Sequence, residues 1–470
     1  MLQTSSNFHQ PNLFGNDLLN QLDCNDPLIA LSNAYDWREL ETKLQKYYVN
    51  NNGRPAKPIR LMAGLLLLKQ IENLSDEEVV LAWKRNPYYQ YFCGFREFQT
   101  ALPCHSTELV KFRAKIGTDG FNEIFKLSVA LHPNKKINEK DIIVDSTVQE
   151  KNITYPTDGK LAIKIINGTI KIAKKHNLKL VRTYAKEVKE KRIALRGFRH
   201  PKKIGKAKKA MKRLKTIALE LLREVKKRIP KDLRKQYRKA YVIALRVLSQ
   251  TKNSKNKIYS LHESHIYAMA KGKDNKSYEY GTKASIAMTK NSKIIVGVVA
   301  HDTNIHDSKT LQAVIEHSSS LRTKPIELAI CDRGYPGVKT ITVTPSPNNT
   351  FTQNETTTIA IPSAPKQADT NAQKQTKRNN FRKRASIEPV IGHLKHDFRL
   401  SRNFLKGFIG DQINLLLAAT AWNMKKWINI FFWSVFLGDL ELALLTTRNL
   451  SNLEKDKNKL LGLLLLKNQF

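Results

Sequence analysis

The chain has 470 residues, room for two or three domains, and its 81 Lys and Arg against 41 Asp and Glu give a formal net charge of +40. This excess excludes the near-neutral surface of an ordinary metabolic enzyme, and a hydrophobic fraction of 41% excludes a wholly disordered basic tail. Such a composition is typical of a folded protein that binds a polyanion, and nucleic acid is the usual one.

The sequence also indicates a cellular setting. No uncharged apolar run reaches the roughly 18 to 20 residues that a membrane span needs. Residues 1–12 lack the cationic and apolar regions of a secretory signal. The cysteines are too scattered for a disulfide framework or a CxxC zinc pattern; they are Cys24, Cys93, Cys104 and Cys331. We therefore expect a soluble protein of a reducing, intracellular compartment, without a membrane partner.

Residues 1 to about 130 are predicted to form an all-helical domain. Residues 35–48 are a candidate first helix, and residues 58–71 have the continuous apolar pattern of a buried helix. Ser75 and Glu78 form a capping box that opens the next helix. A further helix is predicted after Ser106.

From Asp141 onward the pattern changes to that of a mixed α/β domain. The predicted strands cover residues 141–149, 278–288, 294–301 and 326–330, with a hairpin over 340–362. The predicted helices cover residues 307–317, 379–395 and 411–429, whereas the polar stretch 366–377 is predicted to be a loop.

A basic stretch interrupts the α/β order just after its first strand. Residues 171–257 contain 32 Lys and Arg against 5 acids, which is +27 of the net charge. Apolar residues recur there at helical spacing, so we predict a helical insertion at about residues 160–260. Its cations are either a solvated face or phosphate contacts, and charge on this scale favours phosphate. The predicted contacts are Lys202, Lys203, Lys206, Lys208, Lys209 and Lys212.

Three acids are candidates for metal-dependent phosphodiester chemistry. Asp145 is predicted at the end of the first strand, Asp332 at the end of the fourth, and Glu388 in a helix. Two divalent cations held by such carboxylates can activate an attacking oxygen and stabilise a leaving one. Any one of these acids is also a reasonable turn or cap residue. In the nearby HDTNIHD segment, metal ligation and a structural role both stay open for His301, His306 and Asp307.

The surroundings of Glu388 strengthen the catalytic interpretation. On a helix, Arg384 and Glu388 are i,i+4 neighbours, and Lys395 lies two turns further along the same face. A structural ion pair explains the first two residues but not Lys395 as well. The pattern is that of a metal-binding acid flanked by two cations suited to phosphate.

The spacing F-x2-R-x3-E-x6-K, which starts at Phe381, resembles the Y-x2-R-x3-E-x6-K signature of bacterial insertion-sequence transposases of groups four and five. Other motifs similar to this family extend over roughly residues 40 to 430. They include LMAGLLLLKQIENLSDEEVV, VDSTVQEKNITYPTD, KIYSLHE, CDRGY and RASIEPVIGHLKHDFRLSRNFLKG.

The resemblance implies an RNase H-like DDE catalytic domain that uses two Mg²⁺ or Mn²⁺ ions as cofactor. It also implies a protein of the bacterial cytoplasm that associates with the nucleoid. Asp145, Asp332 and Glu388 match the metal-binding catalytic acids of the family. Arg384 and Lys395 match its contacts to DNA ends. Phe381 replaces the family's Tyr, so a hydroxyl contact to phosphate is lost, while stacking or packing of the ring remains available.

The sequence thus predicts a DNA transposase that cleaves the ends of its insertion sequence and transfers them into target DNA, as a homodimer on paired ends. The expected domains are a DNA-end-binding domain over residues 1–130, the catalytic domain over 138–430, and a tail of unknown role over 431–470. The alternatives are a catalytically decayed DNA-binding inhibitor and a plain RNase H-fold nuclease. A basic RNA-binding protein is disfavoured because RRM and KH signatures are absent from the sequence.

Overall fold

A computed structural model describes residues 17–49, 55–251, 253–273, 276–344, 354–363 and 366–446, with backbone alone for 271–273, 276–277 and 434–446. The chain divides into two compact units. Within the description, the first contains residues 17–49, 55–116, 126–133 and 420–446, and the second contains 117–125 and the described part of 134–419. Among these residues no helix combines the length and apolarity needed to cross a membrane.

The first unit is built from helices. In chain order they are α1 (Pro27–Ala34), α2 (Trp37–Gln45), α3 (Ile59–Ile71), α4 (Asp76–Arg85), α5 (Pro87–Phe92) and the first part of α6 (Ser106–Ala130). The predicted capping box is confirmed, since the Glu78 amide donates to Ser75 Oγ at 3.1 Å and the Ser75 amide donates to Glu78 Oε2 at 2.7 Å. Gly117 interrupts α6 with a φ of 57°, a conformation that glycine adopts without strain.

The second unit is organised around a mixed seven-stranded sheet, which confirms the predicted α/β class. The strands are β1 (Asp141–Glu150), β2 (Tyr267–Lys273), β3 (Lys276–Thr289), β4 (Ile295–His301), β5 (Leu328–Ile330), β6 (Thr340–Val343) and β7 (Glu355–Ala360). Their order is β2-β3-β1-β5-β7-β6, with β4 paired to β3. β1 runs parallel to β5 and antiparallel to β3. The long central strands therefore form the frame on which the candidate acids are placed.

Helices surround this sheet and connect its strands. Between β4 and β6 the chain forms a 3₁₀ turn (Asp307–Thr310) and α12 (Leu311–Ser319), and α7 (Asn134–Ile137) precedes β1. After β7 come α13 (Asn371–Arg384), α14 (Ile387–His396) and α15 (Gly407–Thr446), which continues into the first unit. α13 contacts β5, and α14 contacts β1. These two contacts bring the Arg384–Lys395 segment to the centre of the sheet.

The basic stretch is helical and follows β1 directly, as predicted. It contains α8 (Asp158–Lys175), α9 (Ala185–Ala194), α10 (Ile204–Arg228) and α11 (Lys231–Ser249). Leu214, Ile217 and Leu221 of α10 are fully buried in a core that these helices share. The insertion is therefore a packed helical subdomain, held together by the apolar stripe that its sequence shows.

Several predictions of local structure are wrong. Residues 371–377 are helical rather than a loop, because Thr370 and Gln373 form a capping box that starts α13 in a polar sequence. The predicted single helix over 379–395 is broken at residues 385–386 into α13 and α14. Asp145 lies inside β1, opposite Ile286, rather than at its end. Predicted segments before residue 17, within 345–353 and after 446 lie outside the described residues.

Candidate active site

Two carboxylates lie at the same level of the sheet where the parallel strands β1 and β5 separate. The last residues of that ladder to pair are Ile143 and Ile330. Asp145 and Asp332 each follow this pair by two residues, so the parallel register brings them next to each other. The charge of Asp332 acts on the ionisation of Asp145, which agrees with their proximity. β1 thus carries Asp145 past the point where β5 ends, and this explains a catalytic candidate in the middle of a strand.

The negative charge of Asp145 is only partly offset by neighbouring cations. Burial, with the negative charges of Asp332 and Asp307 as smaller contributions, raises its pKa to about 6. Two effects oppose this rise: the Ser146 amide donates to Asp145 Oδ1 at 2.7 Å, and Arg384 contributes its charge. A carboxyl group in this state favours a cation, because a cation restores its ionised form.

Asp307 is a further acid of this centre that sequence reasoning did not select. Its Oδ1 accepts hydrogen bonds from Ser146 Oγ at 2.7 Å and from Lys283 Nζ at 2.9 Å. Lys283 also donates to the Ile305 carbonyl at 2.6 Å, which fixes the position of its ammonium group. The sequence signal for Asp307 was the HDTNIHD segment directly after β4, where three candidates were indistinguishable without the pairing of β3 with β1.

The two histidines of that segment have structural roles. His301 is buried and its Nε2 lies 2.9 Å from Ser285 Oγ; burial lowers its pKa to about 4. His306 is exposed and caps the 3₁₀ turn, since its Nδ1 accepts from the Ser308 amide at 3.3 Å. Of the three candidates in HDTNIHD, the structure therefore brings Asp307 to the acids.

Gly334 leaves open the space between Asp332 and Asp307. Its amide donates to Asp332 Oδ1 at 2.7 Å. A Cβ atom at residue 334 would lie 2.9 Å from Asp332 Oδ1 and 3.5 Å from Asp307 Oδ2. Both oxygens therefore border one small space that a side chain would fill.

Glu388 is linked to the acids through Arg384. It lies in the first turn of α14, and its carboxylate accepts a hydrogen bond from Arg384 Nη2 across the break between α13 and α14. The predicted i,i+4 ion pair is therefore present. The Glu388 side chain is 63% exposed, whereas Arg384 is 19% exposed and acts electrostatically on Asp145.

Lys395 does not share an ion pair with Glu388. Its Nζ lies 3.6 Å from Glu279 Oε1 on β3. The break at residues 385–386 separates the helix of Arg384 from the helix of Lys395, so the predicted continuous face is divided. Phe381 is 49% exposed on α13, which leaves its ring accessible.

The donor set fits a divalent cation of the Mg²⁺ class. Mg²⁺ prefers hard oxygen ligands and takes one or two carboxylates together with water and phosphate oxygens. Asp145 and Asp332 supply such a pair beside the open space at Gly334. In the described part of the chain, no three His, Cys, Asp or Glu side chains are grouped closely enough to hold a metal by themselves. The geometry thus suits a cation that takes its remaining ligands from water and a phosphate.

The side chains of the six predicted phosphate contacts of the insertion all face solvent. Lys202 and Lys203 belong to a 3₁₀ turn (Pro201–Lys203), and the others lie on α10. All six are exposed. Three acids of the insertion pair with arginines instead: Glu187 with Arg213 at 2.7 Å, Glu220 with Arg213 at 3.6 Å, and Glu224 with Arg228 at 3.0 Å. The positive charge of these lysines is therefore available to a polyanion.

Parts of the chain are similar to known proteins. A family model described as "Transposase domain (DUF772)" matches residues 16–115, and one described as "Transposase DDE domain" matches residues 249–424. The second match includes Asp307, Asp332 and Glu388, whereas Asp145 and most of the basic insertion lie between the two matches. An uncharacterized protein, ORF8 in the nfe locus of Rhizobium meliloti, is 37% identical over 177 residues, which are 37% of this chain and 85% of that protein. No solved structure matches the chain.

Proposed function

The chain belongs to the DDE transposases of insertion sequences, and from that premise we propose that it cleaves DNA at the ends of its own element and joins the freed 3′ ends to target DNA. Membership confirms the resemblance of the sequence motifs and implies an RNase H-like catalytic fold. The family also implies a DNA partner, phosphodiester chemistry and the use of divalent metal ions.

The observation that supports the proposed reaction best is the register of β1 and β5. It gives Asp145 and Asp332 adjacent positions at the centre of the sheet. Asp145, Asp332 and Glu388 are the proposed catalytic acids, and Asp145 and Asp332 would hold the first of two Mg²⁺ or Mn²⁺ ions. Such ions, when bound, activate the attacking oxygen and stabilise the leaving oxygen of an in-line displacement.

The same residues serve both proposed steps. In the first step water attacks the phosphorus at the element end, and the 3′ oxygen of the element leaves as a hydroxyl. In the second step this 3′-hydroxyl attacks a phosphorus of target DNA, and the 3′ oxygen of the target strand leaves. Arg384 is proposed to exchange Glu388 for a phosphate oxygen, since its guanidinium can form the same charge-assisted hydrogen bonds with either anion. Glu388 is then free to join the cation site, and Lys395 holds a second phosphate.

The rest of the chain is proposed to bind and arrange the DNA. The insertion at about residues 160–260 contacts the backbone through Lys202, Lys203, Lys206, Lys208, Lys209 and Lys212 without reading sequence. Residues 1–130 form the proposed domain for recognition of DNA ends, and residues 138–430 form the catalytic domain. Two copies act together, because a transposase must hold both ends of its element at once.

The test is a cleavage and strand-transfer assay with the full chain, Mg²⁺, and DNA carrying the inverted repeats that flank its coding region. Asp145→Asn, Asp332→Asn and Glu388→Gln should each reduce cleavage by about 10³-fold or more, because each removes several kcal/mol of transition-state stabilisation. Binding of the same DNA should change little. Asp141→Asn, on the same strand as Asp145, is the matched control and should cleave normally.

The assay also distinguishes the alternatives. Normal cleavage by any of the three acid variants contradicts the assignment of that acid. Cleavage without joined products indicates a plain nuclease. DNA binding without cleavage, in Mg²⁺ and in Mn²⁺, indicates a decayed copy that acts as an inhibitor.

A further inference from the structure

Asp307 is the acid that the catalytic triad leaves unexplained, and we propose that it is a fourth carboxylate of the cation site. Its Oδ2 would bind the divalent ion beside Asp332, directly or through a water of the ion. Ser146 and Lys283 would hold Asp307 in place. This inference rests on the proposed function, because it assigns one more residue to the same centre.

The two oxygens of Asp307 have different surroundings. Oδ1 accepts from both Ser146 Oγ and Lys283 Nζ, at 2.7 and 2.9 Å. Within the described residues no hydrogen bond or ion pair uses Oδ2. That oxygen borders the open space at Gly334, which Asp332 Oδ1 borders from the other side. One oxygen therefore anchors the side chain, and the other is available as a ligand.

A second observation points to a ligand in the same place. The Tyr335 side chain is 1% exposed, and within the described residues its hydroxyl has no hydrogen-bond partner of acceptable geometry. Asp145 and Asp307 both act on this hydroxyl electrostatically, and the Ser146 side chain lies near it without the geometry of a hydrogen bond. A buried hydroxyl without a partner costs free energy, and a water of a hydrated cation between these acids would satisfy it. Tyr335 and Asp307 thus border a position that suits a hydrated ion.

The competing interpretation is that Lys283 and Asp307 form an ordinary ion pair. The chain offers a close match for that case in Lys290 and Asp141, whose ion pair measures 2.7 Å. Asp141 and Asp307 are each 30% exposed, and their lysines are 17% and 11% exposed. Lys283 lies on β3 and Lys290 directly follows it, but Asp141 lies at the other end of the β1–β5 ladder from Asp145. A merely structural role predicts equal behaviour of the two aspartates.

The experiment is a calorimetric titration of the full chain with Mn²⁺ alone, without DNA, for the parent and five variants. Asp332→Asn should lose binding. Asp307→Asn should weaken Mn²⁺ by about 10-fold, the loss typical of a supporting ligand, and Asp141→Asn should match the parent. Asparagine keeps an oxygen that accepts from Ser146 and Lys283, so folding should persist.

A fourth variant tests the site without removing charge. In Gly334→Ala the new methyl group would occupy the space between Asp332 Oδ1 and Asp307 Oδ2 and should also weaken Mn²⁺. Gly168→Ala, where a Cβ atom meets nothing within 4 Å, is its control.

The outcomes separate this inference from the function on which it rests. Equal Mn²⁺ affinity of the Asp307→Asn and Asp141→Asn proteins, with binding lost in Asp332→Asn, overturns the role of Asp307 alone. Unchanged Mn²⁺ affinity in the Asp332→Asn protein overturns the cation site itself. Unchanged affinity in Gly334→Ala contradicts the proposal that Asp307 Oδ2 and Asp332 Oδ1 face a common ion.

Discussion

Two aspartates, one in each unit, both lie near an arginine, yet their pKa values shift in opposite directions. In the first unit Asp76 lies between Lys69 Nζ, 3.0 Å from its Oδ1, and the Arg113 guanidinium. Burial alone would raise the pKa of Asp76, but the two cations hold it below its ordinary value. In the second unit Asp145 also lies near an arginine, yet burial and two neighbouring acids raise its pKa to about 6.

The difference separates a stabilising charge from a functional one. The charge of Asp76 is neutralised within the fold by Lys69 and Arg113, so this carboxylate needs no bound ligand. Asp145, Asp307 and Asp332 concentrate negative charge that Lys283 and Arg384 balance only in part. The insertion of the same unit carries the opposite excess on its exposed lysines. The negative charge of the acids suits a cation, and the positive charge of the lysines suits a polyanion, so one unit can bind both.

The largest expected effect comes from removing the exposed positive excess. Changing Lys202, Lys203, Lys206, Lys208, Lys209 and Lys212 to Gln should flatten the salt dependence of DNA binding by several units, since each phosphate contact contributes about 0.9 to the log–log slope. The loss should be similar for cognate and random DNA, because backbone contacts position rather than specify. The measurement is a binding titration across salt concentrations.

The same six positions changed to Arg provide the control, because the charge is kept. Superimposable salt slopes for the parent and the Gln variant would show that these lysines are a solvated face. A loss confined to cognate ends would instead make the insertion a sequence-reading element.

The next largest effect should come from the balanced aspartate. Asp76→Asn leaves the buried cations of Lys69 and Arg113 without their anion and should lower the free energy of unfolding by about 3 to 5 kcal/mol at pH 7. Because the folded-state pKa of Asp76 is depressed, its stabilising contribution is present above the unfolded value of 3.8 and is lost as pH falls through the folded value. Denaturant unfolding at pH 7 and at pH 3 measures both.

Glu77→Gln, in the same first turn of α4 but exposed, is the matched control for Asp76→Asn. It should cost about 0.3 to 1 kcal/mol through the helix dipole. Equal losses in the two variants would show that Asp76 is not the balanced buried charge described above.

The unbalanced aspartate should respond in the opposite direction. Because the folded-state pKa of Asp145 is raised, its contribution to stability is fully present below the unfolded value of 3.8 and is lost as pH rises through about 6. Asp145→Asn should therefore exceed the parent in stability above pH 6, by about 1 to 3 kcal/mol. Denaturant unfolding in EDTA at pH 4.5 and 7.5 measures the difference. Mg²⁺ in excess of the EDTA should reduce the stability difference between Asp145→Asn and the parent, because the ion should stabilise the parent alone.

For this prediction Asp141→Asn is the control, because it removes a paired carboxylate and should give no gain in stability at pH 7.5. A parent that is more stable than Asp145→Asn at pH 7.5 in EDTA would contradict the unbalanced state of Asp145.

The sequence predicts those parts of this comparison that depend on neighbours in the chain. The capping box at Ser75 and Glu78, the strand around Asp145 and the i,i+4 pair of Arg384 and Glu388 all follow from short spacings. Strand β2 was missed because its sequence, YAMAKGK, has no β-branched residue and joins the sheet through its partner β3.

What could not be predicted depends on pairing across the sheet. The adjacency of Asp145 and Asp332 follows from a parallel register between segments almost 190 residues apart in sequence. The role of Asp307 depends on Lys283 from β3 and Ser146 from β1, and no spacing in the sequence connects those three residues. The ion pair of Asp76 with Lys69 and Arg113 likewise joins three helices.

The smallest effect on folding is expected at Arg384, where stability and function should separate. Its ion pair with Glu388 is largely exposed at the acid, so Arg384→Ala should lower the free energy of unfolding by only about 0.3 to 0.5 kcal/mol. Binding to cleaved DNA ends should weaken by about 10-fold, since a hydrogen bond to a charged group contributes about 1.5 to 3 kcal/mol. Lys395→Ala should act in the same direction.

Lys383→Ala, which removes an exposed neighbouring cation, is the control and should leave end binding near the parent value. Arg384→Lys keeps the charge but loses the planar fork of donors, so it should recover part of the binding. A large loss of thermal stability in Arg384→Ala, with unchanged end binding, would contradict this role. Arg384 would then be a structural cation that offsets the charge of Asp145 and Glu388 rather than a phosphate contact.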